Sequence, residues 1–285
     1  MKYGISMFPT DYSIGPGRLA AALEERGFES FWVPEHSHFP VSPMTPGRDQ
    51  PGLPAFYYEV VDPFVALAMA AQATTRLRLG TSICLVVQRD PIQLAKQVAS
   101  LDALSGGRFE FGVGGGWNAL EIGHHGVGFG DRLAVMRERI EAMKRLWTDD
   151  VAEYHGKYVD FSPSYAWPKP AQKPFPRIHV AANAPKGLAR VVRDGDGWFP
   201  MIGAGGPDAS VFDHLPELRR RVAESGRDPE RFEVSLYYCP KDEALLARCR
   251  EHGLARAIFV VDAADEPTTL AALDEIQALV ERVER

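Results

Sequence analysis

Short apolar runs rich in β-forming residues alternate with helix-spaced segments along this chain. Eight such runs occur, among them "YGISMF", "RLRLGTSICLVV", "RFEFGVG" and "AIFVVDA". The segments between them, such as "DRLAVMRERIEAMKRLW", repeat apolar residues at helical spacing. Strands that alternate with helices usually build a parallel sheet. Eight runs in about 250 residues predict an α/β fold, a (β/α)8 TIM barrel, although a doubly wound sheet of fewer strands fits the same alternation.

Two helix starts support this repeat. Asp62 precedes Pro63, and Asp90 precedes Pro91, 28 residues further on. An aspartate can cap a helix whose first residue is proline. Each unit then continues through a helix, an arginine and a strand, which is a βα repeat.

One segment interrupts the alternation before the fifth predicted strand. The stretch "DDVAEYHGKYVDFSPSYAWPKPAQKPFP", residues 149–176, predicts an inserted hairpin that turns at His155 and Gly156, followed by a proline-rich strap. Barrel strands are predicted on both sides of it, so the strap is not a domain linker. We therefore expect one domain over residues 1–285.

Composition and charge narrow the classes of function. Hydrophobic residues make up 45% and charged residues 25% of the 285, as in ordinary globular proteins. The net charge of −6, with cations interleaved among acids, argues against a nucleic-acid partner. Three cysteines without C-x-x-C spacing indicate neither a disulfide framework nor a zinc knuckle, and predict a cytoplasmic protein. We expect no membrane partner, because no secretory segment or bilayer-length apolar run occurs.

The glycine-rich stretch "RFEFGVGGGW", residues 108–117, poses a sharper question. Its continuation "GGGWNA" satisfies the dinucleotide pattern G-x-G-x-x-G/A. That fingerprint needs a helix that begins at once. Further glycines after Trp117 predict a loop that lasts until Asp131. We therefore expect the glycines to let the backbone pass beneath a flat ring.

Barrel enzymes gather their chemistry at the carboxyl ends of the strands. His36 and His38 lie at the predicted end of the second strand. Together with His179 and Asp262 they could hold a metal, as in a metal-dependent barrel hydrolase. The motif follows the second strand, where those hydrolases use the first, so we expect no metal. A loop position without chemistry for both histidines stays open.

The stretch "VAANAPKGLARVV", residues 180–192, predicts a strand followed by a helix with Asn183 as possible cap and Pro185 in the first turn. A helix start offers N–H groups and a positive dipole end to an anion, and Lys186 adds charge. An ordinary turn without a ligand fits equally well. The usual markers of acyl transfer and NTP hydrolysis are missing from the sequence.

With these residues in view, the chain resembles the luciferase-like monooxygenase superfamily. Within it, the chain is most similar to probable deazaflavin (coenzyme F420) dependent oxidoreductases. The resemblance rests on "ERGFESFWVPEHSHFP", "SGGRFEFGVGGGWNALE", "EYHGKYVDF" and "GDGWFP". It covers the chain to about residue 203, beyond which only the barrel rhythm matches.

The resemblance implies a TIM barrel, often a homodimer, whose mouth holds coenzyme F420 or, alternatively, FMN. It implies a cis peptide bond between Ser82 and Ile83 behind the ring, and a phosphate-binding turn at residues 182–187. The cofactor-binding residues implied in this way are Ser82, Ile83, Cys84, Gly114, Gly115, Gly116, Trp117, Ala182, Asn183, Ala184, Lys186 and Gly187.

His36 matches the histidine that faces the ring in the deazaflavin-linked dehydrogenases, and we predict it as a catalytic residue together with Glu35. The sugar-phosphate dehydrogenases of this group carry an aspartate, a tryptophan and a glutamate where this chain has Glu35, Pro40 and Trp117. A sugar phosphate is therefore not the expected substrate. Apolar walls could come from Trp32, Phe39, Trp117 and Trp167, with core packing equally open for Trp32.

The predicted function is hydride transfer between coenzyme F420 and a small organic substrate. Three alternatives remain at this point. The first is an FMN-dependent monooxygenase that uses reduced flavin, and the second is a flavin-binding barrel without turnover. The third is the metal-dependent TIM-barrel hydrolase.

Overall fold

The computed structural model describes residues 1–41, 53–201 and 210–285. Within them, eight parallel strands close a barrel, the third of them in two pieces. The barrel strands are β1 Lys2–Ser6, β2 Ser30–Val33, β3 Arg78–Thr81 with β4 Cys84–Leu85, β5 Phe109–Gly114, β8 Ile178–Ala181, β9 Gly197–Phe199, β10 Glu233–Tyr237 and β11 Arg256–Val260. Because β11 also pairs with β1, with Val260 opposite Ser6, the sheet is closed. The TIM-barrel prediction is confirmed, and the doubly wound alternative is wrong.

The helices lie around the barrel and fill the connections between its strands. They are α1 Pro16–Glu25, α2 Phe56–Glu59, α3 Pro63–Ala73, α4 Pro91–Leu104, α5 Ala119–His124, α6 Arg132–Thr148, α7 Leu188–Asp194, α8 Ser210–Glu224, α9 Glu243–Glu251 and α10 Glu266–Glu284. Asp62 and Asp90 cap α3 and α4 as predicted, each accepting two backbone N–H bonds. Within the described part of the chain, no helix combines the length and apolarity that a bilayer crossing requires.

The inserted hairpin and the strap are also confirmed. Strands β6 Ala152–His155 and β7 Asp160–Ser164 pair antiparallel, with His155 opposite Asp160. The strap is fastened to α4 by Gln172, whose backbone N and side-chain Nε2 donate to the two Asp102 carboxylate oxygens at 2.9 and 2.7 Å. Asp102 is fully buried, so this contact holds the strap against the barrel.

Two predicted connections differ from the structure. Helix α5 begins directly after the glycine run, so the loop predicted up to Asp131 is wrong. Asn118 caps this helix by accepting from the N–H groups of Leu120 and Glu121, both at 3.2 Å. Helix α7 begins at Leu188 after Gly187, and Asn183 does not cap it. At α5 the Asn118 cap outweighed the glycines that predicted a loop. At α7 a turn closed by the Asn183–Gly187 hydrogen bond delays the helix that Pro185 was expected to begin.

Candidate active site

All eight barrel strands are parallel, so their carboxyl ends meet at one face of the barrel, which we call the mouth. Its floor is formed by four partly buried side chains, Ile83, Ala181, Tyr238 and Val260. Beneath the floor, Trp32, Phe199, Tyr237 and Ile258 pack as a buried aromatic layer inside the barrel. A ligand at the mouth would therefore rest on an apolar surface.

His36 stands at the mouth, directly beyond β2, and is paired with Glu121 of α5. His36 Nδ1 and Glu121 Oε2 lie 2.8 Å apart. The second carboxylate oxygen of Glu121 accepts from the backbone N–H of Ser37 at 3.2 Å. The His36 side chain is 6% exposed and that of Glu121 1%. The carboxylate thus fixes the imidazole through Nδ1, while Nε2 makes no hydrogen bond to the residues that the structure describes.

The Glu121 partner is the functional residue that the sequence analysis missed. The sequence has Trp117 where the related dehydrogenases have a glutamate, and no carboxylate partner for His36 was predicted. In the structure, the carboxylate comes from four residues further along, on the first turn of α5. The "NALE" segment, an Asn cap followed three residues later by an acid, was the available signal.

Three aromatic rings surround His36. The ring centroids of Phe39, Tyr57 and Trp117 lie 5.6, 5.5 and 5.9 Å from the imidazole centroid. Phe39 and Trp117 therefore stand where apolar walls were predicted. Trp32 is instead fully buried in the barrel core, and Trp167 is 57% exposed on the strap beside Lys96.

Glu35 is turned away from this cage of rings. Its Oε2 accepts from the backbone N–H of Leu85 at 2.6 Å, and its Oε1 from Arg89 Nε at 2.5 Å. Arg89 in turn donates to the Asp62 cap of α3 at 2.5 Å. Burial raises the pKa of Glu35, while Arg89 and the Leu85 N–H oppose that effect. With both oxygens occupied, Glu35 is suited to position the loop after β2 rather than to act on a substrate.

His38 belongs to a separate group on the rim. Ser37 Oγ lies 2.9 Å from His38 Nδ1 and 2.8 Å from His125 Nε2. His38 Nε2 is 2.8 Å from His124 Nδ1. His38 is therefore hydrogen-bonded to the end of α5 and is not part of the cage around His36.

The third barrel strand breaks at the mouth. The peptide bond between Ser82 and Ile83 is cis, as the resemblance implied. Ser82 Oγ lies 3.0 Å from Ser6 Oγ, which is 3.3 Å from the Tyr237 hydroxyl. Ile83 reaches the floor, whereas Cys84 is fully buried, and burial raises the pKa of its thiol. Of these positions, Ile83 is the one that a flat ring at the mouth would contact.

The glycines at the end of β5 and directly after it leave space that protein side chains occupy, whereas we expected a flat ring to lie against them. A Cβ at Gly114 would lie 1.9 Å from Ile83 Cδ1. A Cβ at Gly115 would lie 2.8 Å from Leu133 Cδ2, and Gly116 has a φ of +71°. The space left by Gly114 is occupied by Ile83, so this glycine supports the floor from the side instead of touching a ring directly.

A positive region lies beside these glycines, between α6 and α7. The Nε atoms of Arg132 and Arg190 are buried and have no hydrogen-bond partner among the described residues. Burial lowers the pKa of Arg190, and the charge of Arg132 lowers it further. A groove lies between α6 and α7, and Lys186, from the turn before α7, and Arg190 both line it. Lys186 and Arg190 thus place two cationic side chains on one groove, a setting suited to an anion.

The turn itself is closed tightly. Gly187 N donates to Asn183 O at 2.8 Å, and a Cβ at Gly187 would lie 2.6 Å from Ala182 Cβ. The Gly187 N–H is therefore used within the turn. Helix α7 starts after Gly187, five residues into the turn and not at Asn183.

The residues of the rival metal site do not come together. Among the described residues, the group that could hold a metal is Glu110, His179 and Glu233, at the opposite end of the barrel from the mouth. His179 Nε2 is 2.8 Å from Glu110 Oε2, and Arg256 lies 3.3 Å from Glu233. Burial opposes ionisation of Glu110, but His179 and Arg256 hold its pKa well below the usual range. This group is a buried ion network.

Comparison with known proteins agrees with this architecture. The family model described as luciferase-like monooxygenase matches residues 17–281. The uncharacterized protein Rv0953c of Mycobacterium tuberculosis is 40% identical over 91% of this chain and 91% of its own length. An F420-dependent glucose-6-phosphate dehydrogenase of Kineococcus radiotolerans is 32% identical over 74% of this chain and 60% of its own.

Solved structures give the same result. The monooxygenase RslO1 from Streptomyces bottropensis matches 99% of this chain and 88% of its own, with 25% identity and a TM-score of 0.70. An F420-dependent secondary alcohol dehydrogenase matches 99% and 98%, with a TM-score of 0.74 at 17% identity, and so shows the fold alone. The family match covers nearly the whole chain. The protein therefore belongs to the luciferase-like monooxygenase family and is an oxidoreductase.

Proposed function

We propose that this protein is an F420-dependent oxidoreductase that acts on a small organic substrate. The observation that carries the proposal is the buried His36–Glu121 pair, which stands in a cage of rings beside the apolar floor. A relative of 32% identity is named an F420-dependent dehydrogenase, which supports the same choice. A fold neighbour is named an F420-dependent alcohol dehydrogenase.

The residues at the mouth fit a deazaflavin. Ile83 and Ala181 offer an apolar bed for a flat ring, and Lys186 and Arg190 offer positive charge to a phosphate. Bound deazaflavin would supply a ring carbon that accepts or donates a hydride. We propose that the remaining contacts come from Gly115, Gly116, Trp117 and the turn of Ala182, Asn183, Ala184, Lys186 and Gly187, with Ser82, Cys84 and Gly114 behind them.

His36 is the proposed proton acceptor or donor. Glu121 holds Nδ1, so Nε2 can bind a substrate hydroxyl or carbonyl oxygen. The carboxylate also stabilises the imidazolium that forms when His36 takes a proton. Phe39, Tyr57 and Trp117 exclude water from this nitrogen and limit how a substrate can approach it.

An FMN-dependent monooxygenase is the second candidate. The observation in its favour is the likeness to the monooxygenase RslO1, at 25% identity over 99% of this chain. The floor and the arginines would accept either ring, because both cofactors combine a tricyclic ring with a phosphate.

Titration of the purified protein with each cofactor tests the proposal. We expect coenzyme F420 to quench the intrinsic tryptophan fluorescence at lower concentration than FMN. Quenching by FMN alone would overturn the deazaflavin proposal in favour of the monooxygenase. Tight binding of F420 without reduction or oxidation by any alcohol, aldehyde or imine of a broad panel would indicate a binding protein without turnover.

A further inference from the structure

A cavity of about 280 Å³ opens at the mouth on the side of β10 and β11. Its walls include Phe8, Phe56, Tyr238 and Val260. Phe8 lies 5.0 Å from Tyr57, whose ring is 5.5 Å from His36, both measured between centroids. The cavity thus adjoins the cage around His36, with Tyr57 between them.

The floor connects the cavity to the proposed ring bed. Val260 and Tyr238 line the cavity, and Ile83 and Ala181 continue the same apolar floor towards β5 and β8. His36 stands above this floor, on the strand that follows β1 around the barrel. A molecule in the cavity would lie on the same floor as a ring on Ile83, with the Tyr57 ring between it and His36.

The size of the cavity suits a small molecule. A cavity of about 150 Å³ binds benzene, and this one is almost twice as large at about 280 Å³. It can hold a substituted six-membered ring. Its lining residues are none of those proposed to contact the deazaflavin, so we treat it as a separate site.

The charges at the cavity argue against an anionic substrate. Lys241 lines it, but Lys241 Nζ is already 3.0 Å from Glu275 Oε2. The other charged group on its described lining is the carboxylate of Asp262. Among those lining residues, Lys241 is already paired with a carboxylate, so a phosphate or carboxylate would compete with Glu275 for it and would be repelled by Asp262.

Tyr238 gives the wall a defined shape. Its φ of +57° is a left-handed conformation that few residues other than glycine adopt. The Tyr237 ring packs edge-on against that of Tyr238, with the two centroids 5.0 Å apart. Burial raises the pKa of the Tyr238 hydroxyl, and the neighbouring Tyr237 and Tyr57 raise it further. Held backbone conformations of this kind concentrate at binding sites. The Tyr57–Tyr238 contact links the cavity wall to the His36 cage.

We propose that this cavity binds the apolar body of an uncharged, ring-bearing or branched alcohol or carbonyl substrate, whose polar carbon extends past Tyr57 towards His36. The inference rests on the proposed function for the chemistry at His36. It also distinguishes this protein from the related enzyme named for glucose 6-phosphate, whose substrate carries a phosphate.

Binding to the protein without cofactor tests the inference. The probes are 4-tert-butylcyclohexanol, 4-tert-butylcyclohexanone and glucose 6-phosphate. Titration calorimetry measures the affinity of the protein for each of them. We expect the two cyclohexyl compounds to bind and glucose 6-phosphate not to bind. A Phe56→Asp variant places a charge in the wall and should weaken cyclohexyl binding by about tenfold or more.

The matched control is Tyr58→Asp on the same helix, because Tyr58 is 55% exposed and does not line the cavity. It should bind the cyclohexyl compounds like the unmodified protein. Phe56→Ser is a milder second variant, and circular dichroism checks that each variant is folded. Equal binding by all folded variants, or preferential binding of glucose 6-phosphate, would overturn the inference.

The two proposals fail separately. Coenzyme F420 is titrated against the unmodified protein and Phe56→Asp by fluorescence, and equal affinities are expected. If the protein binds neither F420 nor FMN but still binds the cyclohexyl compounds at the Phe56 wall, the proposed function is wrong and the cavity assignment stands. If it binds F420 but no cyclohexyl compound, the cavity assignment alone is wrong.

Discussion

His36 Nδ1 and Glu121 Oε2 lie 2.8 Å apart although the two residues are separated by 85 positions in the chain. The barrel brings them together, because the loop after β2 and the helix after β5 both emerge at the mouth. The pair is nearly inaccessible to solvent, with side chains 6% and 1% exposed. An imidazole fixed in this way can exchange one proton with a ligand through its other nitrogen.

The first prediction concerns this pair. His36→Asn keeps a polar side chain but removes the proton acceptor, and should lower kcat with the confirmed substrate by about 10²- to 10⁴-fold. Glu121→Gln leaves a hydrogen bond without the charge and should lower kcat by about tenfold or more. Steady-state kinetics measure both effects. His38→Asn is the control, because His38 lies outside the ring cage. An unchanged kcat in His36→Asn would refute the proton-transfer role.

The second prediction concerns the floor of the mouth. In Gly114→Ala the new Cβ would collide with Ile83 Cδ1, to which its distance would be 1.9 Å. We expect a loss of about 1 to 3 kcal/mol in the free energy of unfolding, as for other overpacked sites. Displacement of Ile83 should also weaken cofactor binding. Urea unfolding and the fluorescence titration measure the two effects.

Gly123→Ala is the control for this substitution. Gly123 lies within α5, and nothing comes within 4 Å of a Cβ built there. Alanine should be tolerated, since it favours the helix more than glycine does. If Gly114→Ala were as stable as Gly123→Ala and bound the cofactor equally well, the contact with Ile83 would not set the shape of the floor.

The third prediction concerns the positive region between α6 and α7. Arg190 Nε is buried without a partner, and the charge of Arg132 lies nearby. Arg190→Gln should weaken binding of the phosphate-bearing cofactor by about tenfold, as for loss of one charge-assisted hydrogen bond. Without the cofactor the same variant should be at least as thermally stable as the unmodified protein, because burial, which lowers the pKa of Arg190 despite the nearby Asp194, penalises the charged guanidinium and not the neutral amide.

Arg193→Gln is the matched control. Arg193 lines the same groove but is already paired with Asp194, its Nε and Nη2 lying 2.6 and 2.8 Å from the carboxylate oxygens. It should affect cofactor affinity less than Arg190→Gln. A larger effect from Arg193 would place the anion elsewhere in the groove.

The features that could be predicted from the sequence are those decided locally. The Asp62 and Asp90 caps depend on residues two or three positions away, and they correctly marked the βα repeat. The Glu121 partner of His36 could not be predicted, because their contact depends on how two loops meet at the mouth. Helix α5 was not predicted because Gly123 has a low helix propensity, but the Asn118 cap outweighs that low propensity. The glycine run was correctly placed at the mouth. The side chains that pack against it, Ile83 between β3 and β4 and Leu133 of α6, could not be predicted, because they come from distant parts of the chain.

The fourth prediction concerns acid stability. Glu24 near the end of α1 accepts from the backbone N–H groups of Arg76 and Leu77 at 2.6 and 2.7 Å, which ties α1 to the segment before β3. Burial raises the pKa of Glu24, but these backbone hydrogen bonds outweigh it and lower the pKa from 4.5 to about 2. Because the folded pKa is the lower one, the stabilisation is complete above the unfolded pKa and is lost as the pH falls from about 4.5 to about 2.

Urea unfolding between pH 6 and about pH 2.5 tests this dependence. Glu24→Gln should be less stable than the unmodified protein by about 1 to 3 kcal/mol near pH 6, and the difference should shrink as the pH falls. Glu25→Gln is the control, since Glu25 is exposed and only 3.8 Å from Arg18 in a surface pair. A difference between Glu24→Gln and the unmodified protein that stayed constant to the lowest pH would mean that the amide loses packing and not charge, because a neutral carboxyl would then stabilise the turn as well as a carboxylate does.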